Sequence, residues 1–135
     1  MTTQPRKSAK PLSLREAFEI EHARRELERR SKEEAERKQQ EADLAGATAL
    51  HQLISADVEF LEEHALTADQ RRYTVALDHA KFRIAAYFEA GVVNVTLSDK
   101  RAAIPGASAP RRQETAESVE DALRLMAQFL ADETR

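Results

Sequence analysis

The chain has no cysteine and no tryptophan, three glycines, four prolines and 5% aromatic residues. Without cysteine there are no disulfides, no thiolate metal sites and no thiol nucleophile. Three scattered glycines cannot build a Walker or dinucleotide phosphate cradle. Long apolar runs are missing too. The longest, "IAAYF" at 84–88, falls far short of the roughly 20 residues that a bilayer requires. The start, "MTTQPRKSAKPLSLREAF", is basic but has no apolar stretch behind the charges. The expectation is a soluble cytoplasmic protein with no membrane span. "NVT" at 94–96 matches a glycosylation acceptor, a match without weight where no secretory signal precedes it.

What the chain has in quantity is charge, 33% of its 135 residues, arranged in blocks. Formal charge is +3 over 1–11, −2 over 12–43, −5 over 44–70, +5 over 71–112 and −4 over 113–135, for a net −3. An acidic balance argues against a general nucleic-acid coat, whose affinity comes from neutralised phosphates. It leaves room for a local basic patch.

Residues 1–12, polar and basic with Pro5 and Pro11, read as a disordered arm. Ser13 with Glu16 forms an S-x-x-E capping box, and no Gly or Pro follows until Gly46, so 13–45 reads as one long charged helix. Leu14, Ala17, Phe18, Ile20, Ala23 and Leu27 give its first half a ragged apolar stripe. Beyond them, "ERRSKEEAERKQQE" at 28–41 has a single apolar residue, Ala35. Such a helix must be held by its own surface. Glu precedes Lys or Arg by four residues at Glu21/Arg25, Glu26/Arg30, Glu28/Lys32, Glu33/Arg37 and Glu34/Lys38, and each such pair contributes about 0.2–0.5 kcal/mol. The alternative for 28–41 is a disordered charged linker. No a/d seam persists long enough for an extended two-stranded coiled coil.

Gly46 marks an expected break, followed by an amphipathic helix over about 47–66 carrying Leu50, Leu53, Ile54, Val58 and Leu61. Alternation is clean in three runs: Tyr73, Val75, Leu77; then Phe82, Ile84, Ala86, Phe88; then Val93, Val95, Leu97. Breaks at "DHA" and "EAG" suit strands joined by tight turns. A rival helix from Thr67 to Gly91 would make the protein all-α, but it leaves Val75 and Phe82 outside its apolar face. Residues 99–112, with Pro105, Gly106 and Pro110, read as a long mobile loop. The last element is a helix striped by Val119, Ala122, Leu123, Met126 and Leu130 and broadened by Leu125 and Phe129. The expected fold class is α+β: a long N-terminal charged helix followed by a small α-β-β-β-α domain over 46–135.

No arrangement for chemistry emerges. Glu19 and His22 make one E-x-x-H, where a carboxylate-bridged di-iron bundle needs two and further glutamates. His51, His64 and His79 lack zinc-site spacing. "GASAP" at 106–110 lacks the closing glycine of a nucleophile elbow. The expectation is no enzyme, no cofactor, no metal and no small-molecule substrate.

Two interaction readings follow. In the first, Leu14, Phe18, Ile20 and Leu27 dock a protein partner or a second copy as a helix in a groove. In the second, the pleat turns Arg72, Thr74, Lys81, Arg83, Tyr87, Asn94 and Thr96 to solvent, flanked by Lys100, Arg101, Arg111 and Arg112, as a nucleic-acid surface. The α-β-β-β-α order resembles the layout of double-stranded RNA-binding domains. The last helix departs from that family's basic opening, since it begins "RRQETAESVED".

Overall fold

Apolar alternation and helical stripes assemble into a meander sheet backed on one face by helices. The computed structural model describes residues 11–100 and 111–134. The chain forms two compact units, residues 1–37 and 38–135. Helix α1 (Leu14–Ser55) starts in the first and ends in the second. The capping box forms as expected. Glu16 N–H donates to Ser13 Oγ at 3.1 Å, and Ser13 N–H to Glu16 Oε1 at 3.0 Å.

Gly46 does not break the helix. A Cβ there would sit 2.9 Å from Cε2 of Phe88, so the glycine serves a close approach of helix to sheet. The expected boundary at 45–46 is therefore no boundary of secondary structure. The helix stops after Ser55, and a short helix α2 (Val58–Glu63) restarts on Asp57, which accepts from Phe60 N–H at 3.0 Å. At the end of α2, Ala65 takes φ 55° while Leu66 N–H donates to Leu61 and Ala65 N–H to Glu62. This is the Schellman pattern, with alanine where glycine is usual.

Five antiparallel strands follow in sequence order: β1 (Thr67–Arg71), β2 (Thr74–Asp78), β3 (Phe82–Glu89), β4 (Val92–Asp99) and β5 (Arg112–Ala116). The three alternating runs become β2, β3 and β4, and Thr67–Arg71 is strand rather than the start of a rival helix. The expected α+β class holds, a long N-terminal helix followed by an antiparallel sheet and a closing helix, but the polar edge strands β1 and β5 were not expected, so three strands become five and the likeness of layout to double-stranded RNA-binding domains ends. Helix α3 (Val119–Glu133) closes the fold from an N-cap at Ser118.

The core lies on one face of the sheet. Val75, Leu77, Ile84, Ala86, Phe88, Val93, Val95 and Leu97 pack with Ala47, Leu50 and Ile54 of α1 and with Ala122, Met126, Phe129 and Leu130 of α3. Each large side chain so buried contributes about 1.5–3 kcal/mol before entropy is counted. The opposite face carries no helix residue of that core. Its rungs run Thr74, Tyr87, Asn94, Thr115 and Ala76, Ala85, Thr96, Gln113. Among the described residues, no helix is long and apolar enough to cross a membrane.

Candidate interaction surfaces

The first surface is the start of α1. Leu14, Phe18, Ile20 and Leu27 are 87%, 62%, 60% and 67% exposed. They do not form one stripe. At 3.6 residues per turn, Leu14 and Phe18 lie about 40° apart and Ile20 and Leu27 about 20° apart, with the two pairs on nearly opposite sides. The helix-in-groove expectation thus resolves into two apolar faces, Leu14/Phe18 and Ile20/Leu27.

Ion pairs clothe the helix between and beyond these faces. Of the five expected pairs, only Glu26 with Arg30 closes, at 3.8 Å. The others give way to arginines that each span two glutamates: Arg24 joins Glu21 and Glu28, and Arg29 joins Glu26 and Glu33. A guanidinium fork reaches both the preceding and the following turn, a geometry outside a simple i,i+4 count. Hydrogen bonds from Arg24 hold the Glu21 carboxyl below its ordinary range, and those from Arg29 do the same for Glu26.

The second surface is the basic sheet face, and four of its expected cations, Arg83, Lys100, Arg111 and Arg112, already have carboxylate partners. Arg83 and Lys100 both meet Asp78, at 2.8 and 2.7 Å. Burial raises the Asp78 carboxyl, but the Lys100 hydrogen bond and the two positive charges outweigh it and leave the pKa lowered. Arg111 pairs with Asp99 and Glu133. Arg112 is not on the outer face at all. It shares the inner side with Val93 and Val95 at the β5 edge, lies 4.3 Å over the Phe129 ring and pairs with Asp132 and Glu114. Arg72 and Lys81 sit in turns, Arg72 with φ 53°. Tyr87 does face outward, but its hydroxyl approaches Glu89, whose negative charge raises the phenol pKa. Arg101 lies outside the described residues, as do "GASAP", residues 1–10 of the arm and most of the loop at 99–112. The four histidines are dispersed: His22, His64 and His79 pack beside Phe18, Phe60 and Phe82, and His51 meets Ser55. Among the described residues, no three His, Asp or Glu side chains gather into a metal-holding group.

Two features escaped the sequence reading. One is Asp43, only 6% exposed and the sole buried charged residue among those described. Its two oxygens accept from Ala90 and Gly91 N–H at 2.9 and 3.0 Å, and Gln39 donates to it at 3.0 Å. Its signal was present in the sequence: 43, 47, 50 and 54 share one helical face, so an aspartate there sits among core positions. The other is a groove of about 390 Å³ between the end of α1, α2 and α3, lined by Leu53, Ile54, Phe60, Leu61, Met126 and Leu130 among others. No local pattern could have shown it, because its walls bring residues 53–64 against residues 123–134. Compared with models of known families, with curated proteins and with solved structures, the chain matches none.

Proposed function

We propose that this chain is a non-enzymatic adaptor of the cytoplasm that binds a protein partner, or itself, through the first turns of α1. The observation that carries this reading is the exposure of Leu14, Phe18, Ile20 and Leu27 on a helix that does not use them for its own core. Isolated exposed apolar residues are ordinary on any surface. Four within fourteen positions, on two faces of a helix otherwise covered by charge, suit contact with a partner on both sides. The charged stretch 28–41 stays helical through polar pairs and suits a spacer behind that contact.

The nucleic-acid reading has less behind it, since Arg83, Lys100, Arg111 and Arg112 have carboxylate partners in the fold. Phosphate would have to displace those carboxylates before any counterion gain accrued.

The test compares Phe18→Glu, Leu27→Glu and Arg83→Glu in sedimentation equilibrium and in crosslinking to partners. A charge introduced at either helix position is expected to weaken association about thirtyfold or more, as loss of an apolar anchor does, with Arg83→Glu neutral. Association intact in both helix variants would overturn the reading.

A further inference from the structure

The groove between α1, α2 and α3 supplies what the exposed start of α1 requires, a concave apolar receptor. Its walls are Leu53, Ile54, Phe60, Leu61, Met126 and Leu130. Two of these walls are open to solvent, Leu53 at 50% and Phe60 at 40% exposure. The polar side chains that line it are turned to the fold's own use. Asp57 caps α2, the Thr134 hydroxyl donates to the Leu130 carbonyl at 2.9 Å, and His64 Nδ1 lies 3.1 Å from the Phe60 carbonyl. Small-molecule sites set a few polar groups to fix orientation. Here those groups are occupied, which favours an apolar peptide face over a small ligand.

The charge around the groove selects the occupant further. From 39 to 70 the chain has no Lys or Arg, and Glu59, Glu62 and Glu63 of α2 stand exposed with no ion-pair partner among the described residues. A surface both apolar and acidic is complementary to an apolar helix with basic flanks. Such a segment exists in the chain itself: Leu12, Leu14 and Phe18, all exposed, follow the basic Arg6, Lys7 and Lys10 in sequence, while Arg15 and Glu16 between them offset one another.

We infer that the Leu14/Phe18 face of one molecule seats in the α1–α2–α3 groove of a second copy, its basic flank against α2. This rests on the reading that the first turns of α1 bind protein, and it names both the partner and the receiving surface. The contact is heterologous, since each molecule offers a helix at one site and a groove at another. Repetition therefore builds rings or open chains instead of a two-fold dimer.

Two full-length variants test it, each with a charge on one side of the contact: Phe18→Glu in the helix and Leu53→Glu in the groove. Both positions are exposed, so thermal melts should match the unaltered protein and remove misfolding as an explanation. The unaltered protein is expected to associate as its concentration rises, and each variant alone to associate about thirtyfold more weakly. An equimolar mixture should recover a complex that stops at two molecules, the intact helix of the Leu53→Glu chain seated in the intact groove of the Phe18→Glu chain. Loss of association in Phe18→Glu but not in Leu53→Glu would overturn the groove while leaving the helix as the binding element. No association in the unaltered protein would overturn the second copy as occupant and leave a different protein as the helix's partner. Association unchanged in both variants would overturn this inference and the reading beneath it.

Discussion

At the scale of single residues, Asp43 joins a helix to a hairpin. Glu89 and Val92 pair across a two-residue turn in which Ala90 and Gly91 both have positive φ, 53° and 81°, the type I′ geometry that matches strand twist. The turn points its N–H groups at the Asp43 carboxylate. Hydrogen bonds to a charged acceptor contribute about 1.5–3 kcal/mol each, less whatever water restores. Asp43→Ala is therefore expected to cost about 2–4 kcal/mol in urea unfolding, with Asp43→Asn intermediate. At the neighbouring position a gain is expected. Ala90 holds a left-handed conformation that alanine disfavours, and Asn-Gly is the preferred pair for this turn. Ala90→Asn should raise stability by about 0.5–1 kcal/mol, since it keeps the backbone donor to Asp43. The acid limb of stability depends in part on Asp78. Its pKa is lowered in the fold from an ordinary 3.8, so its contribution is complete above that value and is lost as pH falls through the folded pKa. Asp78→Asn should flatten the fall in stability below about pH 4, measured as urea midpoint against pH.

Among the elements, helical character and the central strands were legible, and the helix boundaries and sheet edges were not. Strands β2, β3 and β4 have one buried face each, so apolar and polar residues alternate and the period of two is plain. Strands β1, "TADQR", and β5, "RQETA", lie at the two sheet edges, where charge discourages pairing with another chain and leaves no alternation to read. The helix break failed for a related reason. Gly46 fits a stop by composition, but its lack of a side chain answers to the Phe88 ring across the core. Gly46→Ala tests that explanation, because the two effects have opposite signs. Propensity alone would favour alanine by about 1 kcal/mol. A buried ring 2.9 Å from the new Cβ makes overpacking the stronger of the two, at about 1–3 kcal/mol. The expected outcome is net destabilisation of about 1 kcal/mol by denaturant titration; a rise in stability would mean the glycine is only a weak point of the helix.

For the whole molecule, the two compact units differ in what holds them. Among the described residues, every buried one lies in the second unit, beginning with Asp43 and Ala47. Residues 11–37 bury none; their order rests on the capping box, on arginine–glutamate pairs and on continuity with the helix that follows. Exposed pairs of this kind contribute little singly, and a helix without a buried face is marginal in water. This is also why the candidate site was only half legible. A surface that buries nothing leaves its apolar residues visible in the sequence, as at Leu14 and Phe18, while a groove built from α1, α2 and α3 becomes visible only after folding. Deletion of residues 1–37 is therefore expected to leave the melting temperature of the remainder within a few degrees, because a change of about 1 kcal/mol moves a domain of this size by about 4–8 °C. The same deletion should abolish self-association, since the helix is gone and the groove alone has no ligand. Differential scanning calorimetry paired with sedimentation equilibrium reads both. A large drop in melting temperature would show that the first unit stabilises the second, and the exposed side chains of Leu14 to Leu27 would then have to be explained by folding instead of binding.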